Sequence, residues 1–345
     1  MKVLFIRLSS LGDILLTFPL ISFFKSRFPD SHITLLTKTA YKETVELNKD
    51  IDEILLFDKK NVKISQMRLL IKQNKYDYIF DLHKNIRSFL FSSFSGFPVS
   101  RFNKHSIRKF LLVRFKINLL KDIPGIIVRY FQSLNKFNLF DEKSFVSYLE
   151  TYGILVDEKL KNVLYDKIPE LKKFEKIIAF CPSARHKTKM LPQEKYIKIG
   201  KELTSSPKSA IILMGSSDEA EYCEKIVSQI SDKQCFNLAG KTSIPETSAM
   251  LKQCNIIISN DTGLMHLSNL LDIPLIALFG STVKEFGFFP IGKNAVTFEQ
   301  KELKCRPCSH IGLKECPKKH FRCMNDIDEE PVIKKAIEII NKVNK

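Results

Sequence analysis

Apolar residues near the start of the chain gather in short runs at 2–7, 32–37, 52–57 and 76–81. Their length and their content of branched and aromatic residues predict buried strands. The stretches near 13–27, 40–48 and 62–74 carry their apolar positions at helical spacing instead. Strands that alternate with helices predict βα units and a parallel sheet. Pro29-Asp30 marks the turn between the first helix and the second strand. A second series repeats the scheme, with strands at 176–181, 209–214, 234–238, 255–259 and 274–279 and helices at 193–204, 218–230, 245–252 and 262–271. A last helix is predicted over 329–343. The pattern therefore predicts an α/β protein of two Rossmann-like domains facing across a cleft, with a C-terminal helix. The boundaries fall at 1–165, 166–328 and 329–345, so each half is long enough to bury its own core.

Two segments break the alternation. Residues 151–175 read as a weakly ordered linker. Residues 97–150 are rich in Lys, Arg and aromatics around a Pro124-Gly125 break, with helical amphipathicity on both sides. Basic helices packed on the domain and a surface for anionic lipid or sugar-phosphate account for that stretch equally well.

Charge narrows the class of partner. Fifty-five Lys and Arg stand against 38 Asp and Glu, a net +17, which favours polyanions: nucleic acid, anionic lipid or phosphorylated substrates. Arg7 and Asp13 interrupt the first apolar run, and no small-residue cleavage site follows, which argues against a signal peptide. With no uncharged run of membrane-spanning length, a cytoplasmic protein is expected, at most touching a membrane from that side.

The loops after the strands carry the chemistry. In LSSLGDILLTFPL, Ser10, Gly12 and Asp13 lie at a strand-to-helix turn. Asp13 there is either a helix cap or a working carboxylate at the carboxyl edge of a parallel sheet. In IIISNDTGLMHLSNL, Thr262 and Gly263 open a helix that contains His266. Free N–H groups at such a start bind phosphate, and Gly263 lets a ligand approach the backbone. Asp261 would repel phosphate, and so caps the helix or holds a basic group or sugar hydroxyl. CPSARHKTKMLP gathers Arg185, His186, Lys187 and Lys189 after a strand, which suits a diphosphate. MGSSDEAE places Glu219 in a helix's first turn, where an acid often holds ribose, and LAGKTSIPE offers Gly240 and Lys241 to a base pocket. The chain contains neither GxGxxG nor GxxxxGK[ST], so dehydrogenase and P-loop chemistry lose their support.

Taken together, LSSLGDILLTFPL, PSARHKTKMLP, GSSDE, LAGKTSIPE, SNDTGLMHLSNLLDIPLIALFGST and the Cys-rich tail resemble glycosyltransferase family 9, the ADP-heptose:lipopolysaccharide heptosyltransferases of Gram-negative bacteria. The resemblance spans nearly the whole chain but finds no motif in 95–170. It implies a GT-B fold, with the acceptor on the N-terminal domain and the nucleotide sugar on the C-terminal one. It implies an inverting transferase without metal or cofactor, moving heptose from ADP-heptose to an anionic glycolipid of the inner core at the cytoplasmic face of the inner membrane. Asp13 would be the base, supported by Ser10 and Gly12. Lys189, Glu219, Thr242, Asp261, Thr262, Gly263 and His266 would hold the donor. Leu191 stands where many relatives have an aromatic, and Ala184 where a small hydroxyl residue can contact phosphate. Another nucleotide sugar is the alternative donor. A basic nucleic-acid-binding module is the alternative from another class, although no nucleic-acid partner is expected.

The tail, Cys305-x2-Cys308-x7-Cys316-x6-Cys323 with His310 and His320, opens with metal-ligand spacing but lacks the second CxxC of a zinc ribbon. Packed reduced thiols are expected ahead of bound zinc. The remaining cysteines, 181, 223, 235 and 254, read as scattered free thiols.

Overall fold

A computed structural model describes residues 1–93, 95–134 and 141–342. The chain forms two compact units: Met1–Ser106 with Asp122–Leu155, and Ile107–Lys121 with Val156–Lys345. Each unit is built on its own parallel sheet.

The first sheet contains β1 (Lys2–Ile6), β2 (His32–Lys38), β3 (Glu53–Phe57), β4 (Tyr78–Asp81) and β5 (Val99–Arg101), in the order β3-β2-β1-β4-β5. Helices α1 (Leu11–Leu15), α2 (Phe18–Arg27), α3 (Lys42–Glu46), α4 (Ile64–Gln73) and α5 (Ile86–Ser92) alternate with the strands. The one helix expected over 13–27 is two. Pro19 has no N–H to give to the Leu15 carbonyl, and its ring would clash there. The chain breaks at Thr17, whose hydroxyl donates to the Ile14 carbonyl at 2.6 Å. β1 is central and buried from Val3 onward, which accounts for its unbroken apolar run.

The basic, aromatic stretch resolves into two different helices, α6 (Ser106–Phe115) and α7 (Ile126–Phe131), followed by α8 (Glu142–Leu149). The 97–150 stretch also includes 135–140, which lie outside the described residues. α7 is core: Tyr130 and Phe131 are fully buried, and Phe131 stacks on Phe145 of α8 at 4.4 Å. α6 belongs to the second unit and stays largely exposed. The expected loose linker is ordered instead. It forms α9 (Val163–Lys167) between two short 3-10 turns, with Leu164 and Leu171 fully buried.

The second sheet contains β6 (Lys176–Cys181), β7 (Ser209–Leu213), β8 (Cys235–Asn237), β9 (Ile256–Asn260), β10 (Leu275–Phe279) and β11 (Ala295–Glu299), in the order β11-β10-β9-β6-β7-β8. The last of these was not expected, because each of its residues is half-buried at the sheet's edge and its apolar signal is weak. Helices α10 (Gln193–Leu203), α11 (Ala220–Ile230), α12 (Ile244–Lys252) and α13 (Gly263–Leu270) connect the strands, and α14 (Arg322–Asn325) and α15 (Glu329–Lys342) end the chain. Residue 343, the end of the expected last helix, lies outside the described residues. Val332, Ile333, Ala336 and Ile340 seat α15 against the core of this sheet. Among the described residues, no helix is long and apolar enough to cross a membrane.

Candidate functional site

In the first unit, the carboxyl edge of the sheet is where β1 runs into α1. Ser10 is the N-cap of α1 and Asp13 its third residue. Asp13 Oδ2 accepts from the Ser10 backbone N–H at 3.1 Å and from its hydroxyl at 2.8 Å. Asp13 Oδ1 pairs with Arg7 at 2.7 Å, with the aspartate side chain a quarter exposed at 25%. Asp13 therefore caps α1 and is also held by a buried cation. Gly12 lies buried inside the helix. Arg7 is fixed on every side: its guanidinium donates to the Ser9 and Leu82 carbonyls and lies 5.6 Å over the Tyr130 ring. Burial works to raise the Asp13 pKa, but the Arg7 charge and the Ser10 hydrogen bonds outweigh it. The net shift is downward, so the carboxyl is ionised at neutral pH.

The neighbouring strand adds to this edge, because Ile6 and Asp81 are register partners. Asp81 is fully buried, accepts from the His83 and Lys84 N–H groups and from Ser88 Oγ, and faces Arg101 at 3.6 Å. Burial, then the charges of Arg7 and Lys104, push His83 down to about 3, so its imidazole is neutral. Lys104 is itself lowered by burial and by Arg7. Arg7, Asp81, His83 and Lys104 were not singled out in the sequence. The parallel register of β1, β4 and β5 brings them together. Arg7, Asp81 and His83 sit at or within a few residues of an expected strand end, whereas Lys104 follows β5, a strand the sequence pattern did not predict.

In the second unit, β6, β7, β8 and β9 lie side by side and parallel, so the four loops read as ligand-bearing leave one edge. Lys189 Nζ meets Asp261 Oδ2 at 2.7 Å, and the Thr282 hydroxyl donates to the same oxygen at 2.8 Å. Of the roles open to Asp261, holding a basic group is the one observed. Thr262 is the N-cap instead, its Oγ1 accepting from Met265 N at 3.3 Å, and Gly263 follows as the first helical residue. His266, one turn on, is buried with its ring 6.3 Å from that of Phe288. Asn260 fastens the basic loop to β9, accepting from Leu191 N at 3.1 Å and donating to the Pro182 carbonyl at 2.6 Å. Lys189, Asp261, Thr262, Gly263 and His266 thus form one cluster. His186, in the same basic loop, is lowered by burial and by the Lys189 and Arg185 charges.

Glu219 and Thr242 form a second group on that edge. Glu219 Oε2 accepts from Ser216 N at 2.7 Å, and a Cβ on Gly215 would stand 2.8 Å from that oxygen. Gly240, at φ +73°, brings the following loop so close that a Cβ there would lie 2.5 Å from Ser217 Cα. Thr242 Oγ1 lies 2.7 Å from Thr247 Oγ1.

The Cys-rich tail braces the first cluster. Leu313 N donates to Thr188 Oγ1 at 2.8 Å, and Gly312 packs where a Cβ would meet His186 at 2.7 Å. Buried Arg306 donates to the Thr282 carbonyl at 2.7 Å and pairs with Glu299 at 2.8 Å. Lys187, Thr188, Lys314, Glu315, Cys316, Lys319 and Phe321 line a shallow pocket of about 400 Å³ between loop and tail. Cys305 Sγ is 3.8 Å from His320 Nε2, and the eight cysteines are free thiols. Among the described residues, no three His, Cys, Asp or Glu side chains are arranged to hold a metal ion.

Two parallel-sheet units with loop-borne charged groups at their carboxyl edges define an α/β protein of the GT-B fold class. The family model for glycosyltransferase family 9 (heptosyltransferase) matches residues 64–319, and the chain belongs to that family. It is a glycosyltransferase. It is 27% identical to lipopolysaccharide heptosyltransferase 1 of Campylobacter coli over 98% of this chain and 99% of that one. Its fold matches that of the E. coli ADP-heptose LPS heptosyltransferase II with a TM-score of 0.76, at 21% identity and with both chains fully covered. A more distant likeness, with a TM-score of 0.60 at 12% identity, is to the iron-containing dodecameric glycosyltransferase TibC from enterotoxigenic E. coli, covering 99% of this chain and 77% of that one.

Proposed function

We propose that the protein transfers heptose from ADP-heptose to an anionic glycolipid of the lipopolysaccharide inner core, with inversion and without a metal ion. The reading rests on the Lys189–Asp261 pair, 2.7 Å apart at the start of α13, in a chain of this family. An ammonium group has three donors. One is taken by Asp261, and two are left for the diphosphate of the donor. As the glycosidic bond breaks, negative charge grows on the leaving ADP. Lys189 and the free N–H groups at Thr262–Gly263 meet that charge without a change of shape. Glu219 and Thr242 serve the nucleoside end. On the acceptor side, inversion in one displacement needs a base to take the hydroxyl proton during attack at the anomeric carbon. Asp13 is that base. Ser10 and Arg7 keep it ionised and oriented, and the surrounding cations suit an acidic sugar acceptor. The N-terminal residues 1–165 carry the acceptor, and 166–328 carry the donor.

The test is a panel of ADP-, UDP- and GDP-sugars and oligonucleotides in thermal-shift and transfer assays. ADP-heptose is expected to raise the melting temperature most and to be the substrate consumed. Preference for a UDP- or GDP-sugar would remove the donor assignment. Salt-resistant oligonucleotide binding without transfer would favour the nucleic-acid reading.

A further inference from the structure

The segment from α6 to Lys121 presents apolar and cationic side chains together. From Arg101 to Lys121 the sequence holds seven Lys and Arg and no Asp or Glu. Within it Ile107 is 76% exposed, Phe110 58%, Phe115 59%, and Ile117 and Leu119 about half. Phe110 and Phe115 lie edge to face, 6.0 Å apart, so the two exposed rings lean on each other. By contrast, the exposed ring of Phe89 in α5 is covered by the Arg101 guanidinium at 4.8 Å.

The other side of the segment is firmly seated. Leu112 and Leu120 are buried. Lys109 lies over the rings of Phe286 and Phe288 at 6.0 and 5.6 Å, and Asn118 donates to Glu285 at 2.9 Å. Lys116 Nζ donates to the carbonyls of Cys305 and Pro307 at 3.0 and 2.6 Å. The exposed apolar row is thus held outward on the second unit, with Arg108, Arg114 and Lys121 exposed beside it.

We infer that this face, Ile107, Phe110, Phe115, Ile117 and Leu119 framed by Arg108, Arg114 and Lys121, docks the enzyme on an anionic lipid bilayer. Large apolar side chains flanked by cations, on a helix about 15 Å long and the short segment that follows it, match an interfacial anchor that lies in the headgroup layer. The +17 net charge adds long-range attraction to the same surface. The inference deepens the reading of a membrane glycolipid acceptor and rests on it for its purpose, but vesicles without acceptor or nucleotide sugar test it separately.

The experiment is co-sedimentation of the full chain with phosphatidylcholine vesicles and with phosphatidylcholine–phosphatidylglycerol vesicles, at low and high salt. The wild type is expected to partition roughly tenfold or more in favour of the anionic vesicles, and to lose that preference with salt. Phe110→Ser with Phe115→Ser should lower binding about tenfold, as should Arg108→Glu with Arg114→Glu, while the ADP-induced thermal shift stays as in the wild type. Equal binding to neutral vesicles, absence of binding, or undiminished binding of the Ser double variant would each overturn the inference. So would a concentration-dependent dimer that the Ser variant abolishes, which would make a second copy the occupant.

Discussion

At the scale of single residues, the Asp13 carboxylate caps α1 and is proposed as the base, and a conservative replacement separates the two roles. Asp13→Asn keeps an oxygen that can accept from Ser10 N and Oγ, so the start of α1 should survive at a cost of roughly 1–3 kcal/mol. It removes the proton acceptor, and transfer should fall by about 10²–10⁴ with ADP affinity unchanged. A loss below about tenfold, measured by steady-state transfer, would leave only the capping role. If Asp13 is the base, Arg7 helps to set the pH range in which it is ionised. Because the native carboxyl is held below its ordinary value, the ionised form persists as the pH falls, and the acid limb of kcat/KM should lie below the usual carboxylate range. Arg7→Met removes the opposing charge and leaves burial, the largest influence, opposed by the Ser10 hydrogen bonds. The Asp13 pKa then rises and the acid limb moves to higher pH, by about one unit or more in a kcat/KM profile. An unmoved limb would show that another group controls it. Asp13 itself was legible from the quoted motif. Arg7 was noticed only as a charge that interrupts an apolar run, since nothing local reveals that its guanidinium reaches Asp13, Leu82 and the Tyr130 ring together.

At the scale of elements, the strands of the second unit were readable because a parallel sheet buried on both faces demands unbroken apolar runs, as β6, β7, β9 and β10 show. Their loops were readable as ligand-bearing for the same reason, since all leave one edge. What lies between loops was not readable. Lys189 and Asp261 are 72 residues apart in sequence, and only the adjacency of β6 and β9 joins them. In the proposed reaction the Lys189 charge faces diphosphate both before and during bond cleavage. Lys189→Ala should therefore weaken ADP binding and lower turnover together, each by about tenfold or more, in calorimetry and transfer assays. Unchanged ADP affinity would move the role to Lys187 or Arg185. Gly240 tests how closely the loops proposed to hold the nucleoside must approach. Its φ of +73° and the 2.5 Å gap to Ser217 Cα leave no room for a methyl group on rigid backbone. Gly240→Ala should cost roughly 1–3 kcal/mol of stability by chemical denaturation and weaken ADP binding, because Ser217 carries the turn that holds Glu219.

At the scale of the whole molecule, composition alone named a polyanionic partner but could not divide the charge among sites. The structure divides it: Arg7, Lys104 and Arg101 gather near Asp13 and Asp81, Lys189 meets Asp261, and the α6 segment turns Arg108, Arg114 and Lys121 outward. The tail was the least legible part, because CxxC spacing describes a metal knuckle and a packing turn equally well. Its contacts instead brace Thr188 and Thr282 behind the Lys189–Asp261 pair, so losing its packing should loosen the donor site. Burial raises the Cys308 and Cys323 thiols, Cys323 to about 12, and nearby cysteines raise both further. Thiols so placed remain protonated at neutral pH without a metal, whereas a bound ion would hold them as thiolates. This leads to a prediction about chelators. If Lys189 and the start of α13 carry the leaving diphosphate, EDTA should leave the initial transfer rate within about twofold, well short of the loss expected when a charge-stabilising group is removed. The rate must be read at low temperature, where a tail weakened by metal loss would still be folded. A melting scan with and without EDTA then reports the tail separately, since structural metal adds to folding free energy. An unchanged rate with a lowered melting temperature would place a metal in the tail and leave the chemistry metal-free. A rate that falls at low temperature and returns with magnesium, manganese or iron would overturn the metal-free mechanism.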